Sequence, residues 1–221
     1  MSFSGIDGAG KSTQIEALRA RLVGQGLRVR VIAFWDEVAR LKRLRESVGH
    51  ILFNGDKGVG TPLKPIERRD KNIRSWPMSL VRPLLYFLDA FSARAVYRQA
   101  SRSDADVVVL DRWVYDELVN LMLENRVHRG YARLLASFVP RPDLSFLLDA
   151  DPVQARTRKP EYPLDFLVES RSSYHRLAAL VGGIYLIAPM PAANVEQAVA
   201  ERVMERMQPR GREGNLGLAV V

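Results

Sequence analysis

The residues best placed to do chemistry lie almost at the start of the chain. Gly5-Ile6-Asp7-Gly8-Ala9-Gly10-Lys11-Ser12, followed by Thr13, fits the phosphate-binding pattern G-x-x-x-x-G-K-[ST] at every fixed position. The glycines let the backbone turn tightly, so that successive N–H groups converge on phosphate oxygens. A helix beginning at Lys11 would add the partial positive charge of its N-terminus. Lys11 can reach the outer phosphates, and the Ser12 hydroxyl can ligate Mg²⁺. The stretch from Gly5 to Thr13 is therefore expected to hold the phosphates of a nucleoside triphosphate.

Two later stretches carry charge of the right kind. In "VVVLDRW" an apolar run ends in Asp111-Arg112. A carboxylate at the C-terminal end of a parallel strand lies where ligands bind in open α/β sheets. Asp111 can hold Mg²⁺-bound water or orient an acceptor oxygen, and Arg112 can grip an acceptor phosphate with its fork. An ordinary strand-end ion pair is the plainer reading. Asp36, after "VIAFW", is an alternative carrier of the carboxylate. In "QARTRKPEYP", Arg156, Arg158 and Lys159 form a basic cluster beside prolines. It reads either as a solvated loop or as a lid over about 153–166. Such a lid delivers cations to the transferring phosphoryl group and excludes water.

The elements that must position these residues alternate in type. "MSFSG", "LRVRVIAFW", "ADVVVLD", "PDLSFLLDAD" and "GGIYLIAP" read as strands. Between them, "KSTQIEALRARLVGQG", "DEVARLKRLRESVGHIL", "PMSLVRPLLYFLDAFSARAVYRQAS", "VYDELVNLMLEN", "GYARLLASFV" and "NVEQAVAERVMERM" have helical spacing. This alternation predicts an α/β fold with a parallel sheet. The near-continuous apolar run of "ADVVVLD" predicts a central strand buried on both faces. Residues 54–76 read as a long loop. Residues 1–207 are expected to form one domain, and 208–221, rich in Gly and Arg, a frayed tail.

Composition narrows the function classes. Of 221 residues 47% are apolar and 26% charged, which is a globular and not a disordered balance. There is no cysteine, so disulfides, zinc–thiolate sites and thiol nucleophiles are excluded, and a reducing cytoplasm is the natural setting. No apolar run approaches the roughly 20 residues needed to span a bilayer, and no secretory leader is expected. The net charge of +8 is mostly arginine. It suits a phosphorylated ligand as well as nucleic acid, but no aromatic residues interleave with the basic segments and no nucleic-acid motif occurs. His50, His128 and His175 have no ligand spacing.

Together, "FSGIDGAGKSTQ", "LDRW" and the basic stretch after "LLDADP" resemble the thymidylate kinases and their thymidylate-kinase-like relatives, from Phe3 to about Met207. The resemblance implies a P-loop NTPase fold: a doubly wound parallel sheet of about five strands with helices on both faces. It implies Mg²⁺-dependent transfer of the ATP γ-phosphoryl to a nucleoside monophosphate, with dTMP the leading acceptor, and a homodimer as a fair expectation. Asp7 then lies near the acceptor sugar or phosphate, Arg112 on the acceptor phosphate, and Arg156 and Arg158 in the lid. The position at which some thymidylate kinases carry a basic loop residue is Gly8 here, so the cation must come from Arg158 or Arg156, with Arg158 preferred. Phe91 is matched to a base-stacking aromatic, against its alternative as a core residue, and Arg94 to a phosphate ligand. The chain departs from the pattern after the second strand, where "FWDEVARLKR" replaces an Arg-Glu-Pro-Gly-Gly-like segment. Two other readings stay open: a kinase for a nucleoside, sugar or other small acceptor, and a nucleotide-binding module without turnover.

Overall fold

The computed structural model describes residues 1–34, 76–121 and 123–208. Asp36, the expected helix after it, the 54–75 stretch and the tail from 209 lie outside the described residues. The sheet has five strands: β1 (Ser2–Ser4), β2 (Val29–Ala33), β3 (Val107–Asp111), β4 (Ser145–Leu148) and β5 (Ile184–Ile187). They run in the order β2-β3-β1-β4-β5, and every pair is parallel. The helices are α1 (Lys11–Gly24), α2 (Trp76–Ala100), α3 (Tyr115–Leu118), α4 (Arg126–Phe138), α5 (Pro152–Arg158), α6 (Leu164–Val181) and α7 (Ala192–Met207).

Side-chain alternation explains why both faces are covered. Along β3, Val107 and Val109 point to a core shared with Ile15, Leu18 and Leu22 of α1 and Val199 and Val203 of α7. Leu110 points the other way, into a core with Tyr86, Ala90 and Ala93 of α2, Leu135 of α4 and Leu177 of α6. A strand apolar on both faces has to be interior, and β3 is, between β2 and β1. The middle of the sheet is β1, whose three residues are all buried.

Three expected elements differ from the structure. "VYDELVNLMLEN" is helical only over Tyr115–Leu118. The helix expected from Gly130 begins at Arg126, because Asn125 caps it by accepting from the Val127 N–H at 2.8 Å. The basic stretch read as a loop is in part the helix α5. Asp151 caps it, accepting from the Gln154 N–H at 2.9 Å, and Pro152 suits its first turn. Pro83 stands inside α2, and its carbonyl accepts a hydrogen bond from the Tyr131 hydroxyl.

Register aligns the strand ends. Phe3 lies opposite Asp111 and Phe146, and Ala33 opposite Asp111. The turns after β1, β3 and β4 therefore open at one edge of the sheet, and it is there that the polar residues gather.

Candidate functional site at the carboxyl edge of the sheet

The loop after β1 winds through left-handed backbone. Gly8 and Gly10 have φ of 84° and 85°. At Gly8 the absence of a side chain is also a packing requirement. A Cβ there would lie 2.2 Å from the carbonyl oxygen of Ala155 in α5. At Gly5 a Cβ would lie 2.5 Å from the Leu148 carbonyl oxygen at the end of β4. The loop is thus pressed between β4 and α5, with no room for a larger residue at either point.

α1 begins without a capping side chain: Gly10 is its N-cap, and no acidic residue occupies the first turn. The first intrahelical bond runs from the Gln14 N–H to the Gly10 carbonyl at 3.1 Å. The first-turn N–H groups before Gln14 therefore have no helical acceptor, the arrangement in which helix N-termini hold anions. Lys11 is 7% exposed. Its Nζ donates to the Gly5 and Ile6 carbonyls at 2.8 Å each, folding back over the loop. Burial is the largest cause that lowers its pKa, repulsion from Arg112 adds to it, and the nearby carboxylates only partly oppose them; the value falls to about 7.

Arg112 stands at the turn after β3 with φ of 69°, the one non-glycine residue with positive φ among those described. Its Nη2 donates to Asp7 of the loop, and its Nη1 to Asp116 of α3 at 3.2 Å. The structure thus brings two predicted residues, Asp7 and Arg112, into one ion pair across 105 residues of sequence. Burial disfavours the Arg112 charge, but Asp116, Tyr174 and Asp7 outweigh it, and its pKa is held above the usual guanidinium value.

Asp116 has no exposed side-chain surface. Besides Arg112 it accepts from the Ser4 hydroxyl at 2.6 Å, the Tyr174 hydroxyl at 2.7 Å and the Trp113 N–H at 3.2 Å. Burial, then the Asp116 charge, raises the Tyr174 phenol well above its ordinary pKa, so it remains a donor. Sequence reasoning passed over Asp116, Ser4 and Tyr174. The available signal was an acid four residues after Arg112, close enough in sequence to pair with it.

The basic residues expected to form a lid are also placed. Arg158, in the last turn of α5, donates from Nη1 to the Gly8 carbonyl at 3.3 Å and from Nη2 to Gln154 at 3.4 Å. Arg156 is half-buried on the same helix. Behind them, Asp149 at the end of β4 takes a two-point pair from Arg171 of α6, at 2.6 Å for both bonds, and His175 approaches at 3.2 Å. Burial raises the Asp149 pKa, but these partners outweigh it and hold the carboxyl below its usual value.

Not every predicted residue joins this group. Arg94 donates to the Phe138 carbonyl at 2.8 Å and lies 5.3 Å from the centre of its ring, tying α2 to the end of α4. Phe91 is 61% exposed, so it is not a core residue. Asp111, at the end of β3, and Ser12, in the first turn of α1, supply a carboxylate and a hydroxyl. That hard-oxygen donor pair fits Mg²⁺, which takes one or two protein oxygens and leaves its other positions to phosphates and water. Among the described residues no cluster of three or more His, Asp or Glu could enclose a metal by itself. No described helix is long and apolar enough to cross a membrane.

A parallel five-stranded sheet flanked by helices, with this glycine-rich loop between β1 and α1, is the P-loop NTPase fold. No protein-family model matches the chain. Among curated proteins it is 25% identical over 199 residues to a probable thymidylate kinase of Methanosphaera stadtmanae, covering 88% of this chain and 91% of that one. It is 30% identical over 172 residues to a thymidylate kinase of Prosthecochloris aestuarii, covering 72% of this chain and 63% of that one. A thymidylate kinase of Bifidobacterium longum is 27% identical over 189 residues, covering 81% and 83%. Over most of its length the chain is similar to these thymidylate kinases.

Proposed function

We propose that this protein transfers the γ-phosphoryl group of ATP to a nucleoside monophosphate, with dTMP the leading acceptor. The observation that carries the reading is the Arg112 guanidinium, buried beside the phosphate loop and already paired there with the Asp7 carboxylate. An anion-binding fork facing an anion-binding loop suits a reaction between two phosphates. The names of the relatives support the same choice.

The residues divide the work in the following way. The backbone from Gly5 to Thr13 and Lys11 hold the donor triphosphate. Arg112 and Asp7 hold the acceptor. An acceptor phosphate oxygen, already anionic, attacks the γ-phosphorus in line, and the bond to the β,γ-bridging oxygen breaks with its electron pair leaving on ADP. No strong base is required, and positioning and charge neutralisation supply the catalysis. Arg158, with Arg156 beside it on α5, supplies cationic charge where Gly8 supplies none. Ser12 and Asp111 would hold Mg²⁺, which supplies charge neutralisation on the phosphates. A homodimer and a cytoplasmic setting go with this reading.

The test is a coupled assay of ADP formation against a panel of monophosphates, nucleosides and sugars. ADP formation that depends on dTMP supports the reading. Turnover only with a hydroxyl acceptor refutes it in favour of a small-molecule kinase, where Asp111 or Asp36 must act as base. ATP binding without turnover on any acceptor favours the non-catalytic module.

A further inference from the structure

Arg112 is held in a backbone conformation that non-glycine residues seldom adopt, at φ of 69°. For an L-residue this region costs on the order of 1–2 kcal/mol, so the surrounding structure has to hold it in place. The hold comes from Asp116. All of the carboxylate's bonding capacity is used: Oδ1 takes Arg112 Nη1 and the Tyr174 hydroxyl, and Oδ2 takes the Ser4 hydroxyl and the Trp113 N–H. Those donors come from β1, from the turn after β3 and from α6. A carboxylate fixed from three directions cannot swing, and its Nη1 contact fixes the plane of the guanidinium. The other end of the fork, Nη2, is turned toward the loop and meets Asp7.

We propose that Asp116 is a positioning residue for phosphoryl transfer, clamping one end of Arg112 so that the other end is presented to the acceptor phosphate. The inference rests on the phosphate-acceptor reading above. It gives Asp7 and Asp116 different parts, although both pair with Arg112. Asp7 belongs to the loop and to the substrate-facing side, with 12% of its side chain exposed, whereas Asp116 is sealed behind Arg112. Phosphate arriving at Nη2 has to share or displace the Asp7 contact there, but it meets a guanidinium whose orientation Asp116 has already set, so less freedom is lost on binding.

The test uses the full chain and the variant Asp116→Asn, which keeps the side-chain size but removes the charge. Two measurements are made. The first varies each substrate separately, using the monophosphate that the panel identifies. The acceptor KM is expected to rise about tenfold or more, with the ATP KM within about twofold, because only the acceptor-side cation is loosened. The second is carbon-detected NMR of the guanidinium nitrogens in the ligand-free protein. Arg112 Nη1 and Nη2 should be separate, slowly exchanging signals in the wild type and a single averaged signal in the variant. If Asp116→Asn does not fold, Tyr174→Phe removes one donor while leaving the carboxylate, and it should move both readouts in the same direction by less. Separate Nη signals in the variant overturn the proposal however the KM moves. An averaged signal with an unchanged acceptor KM overturns it as well. If the wild type phosphorylates no monophosphate, the kinase reading fails, and the NMR signals alone decide whether Asp116 is the clamp.

Discussion

Lys11 gives the phosphate loop a proton signature that can be measured in solution. In the ligand-free protein its Nζ donates to two carbonyls, from Gly5 and Ile6. A neutral amine has two hydrogens for these bonds and a lone pair left over. Burial is the main cause that brings its pKa down to about 7. At pH 8 such an amine is roughly nine-tenths neutral. A bound triphosphate restores the charged form, because an opposite charge at contact distance favours it. Binding at pH 8 should therefore take up about 0.9 proton per nucleotide, and at pH 6 only about 0.1. The assay is titration calorimetry with Mg²⁺ and a non-hydrolysable ATP analogue, in HEPES and in Tris, whose ionisation enthalpies differ. The difference between the observed enthalpies gives the proton number directly. The same shift fixes a sign for stability. The folded pKa lies below the unfolded one, so the unfolded chain holds more protons between about pH 7 and pH 10.5. Through this window the Lys11 contribution should make the ligand-free protein more stable as pH rises. Equal binding enthalpies in the two buffers at pH 8 would mean that Lys11 is charged in the free protein, and the electrostatic account of the loop would be wrong.

Other expectations test separate parts of the arrangement. Gly8→Ala puts a Cβ 2.2 Å from the Ala155 carbonyl oxygen at positive φ, so urea unfolding should show a loss of about 2 kcal/mol or more; a loss below about 0.5 kcal/mol would show that α5 is not seated on the loop. Arg158→Ala should lower kcat by about tenfold or more while leaving ATP affinity within about threefold, since its cation acts on the transferring group; unchanged turnover would remove α5 from the chemistry. Phe146→Ala, in a side chain 1% exposed and stacked on Phe3 at 5.2 Å, should cost about 3–5 kcal/mol in a denaturant titration; a cost under about 1 kcal/mol would contradict the core packing around α1 and α7.

What the sequence determined by itself was local. The pattern from Gly5 to Thr13 can be read as a phosphate loop because its chemistry depends on residues that are consecutive and on backbone angles that glycine permits. The strand "VVVLD" was legible because each of its faces is apolar, a property of the strand's own residues. The helix over Tyr115–Leu118 was overestimated, because apolar spacing alone does not show where a chain leaves helical geometry. The helix α5 was missed, although Asp151-Pro152 is a capping signal. Only the tertiary structure decided which side chains meet at the carboxyl edge of the sheet. Arg112 meets Asp7 across 105 residues, and Asp116 meets Ser4 across 112 and Tyr174 across 58. Those meetings depend on β1 lying between β3 and β4 and on the register that sets Phe3 opposite Asp111. Strand order is set by the burial of the whole sheet between two helical layers, a sum over many distant side chains that no single stretch of sequence contains.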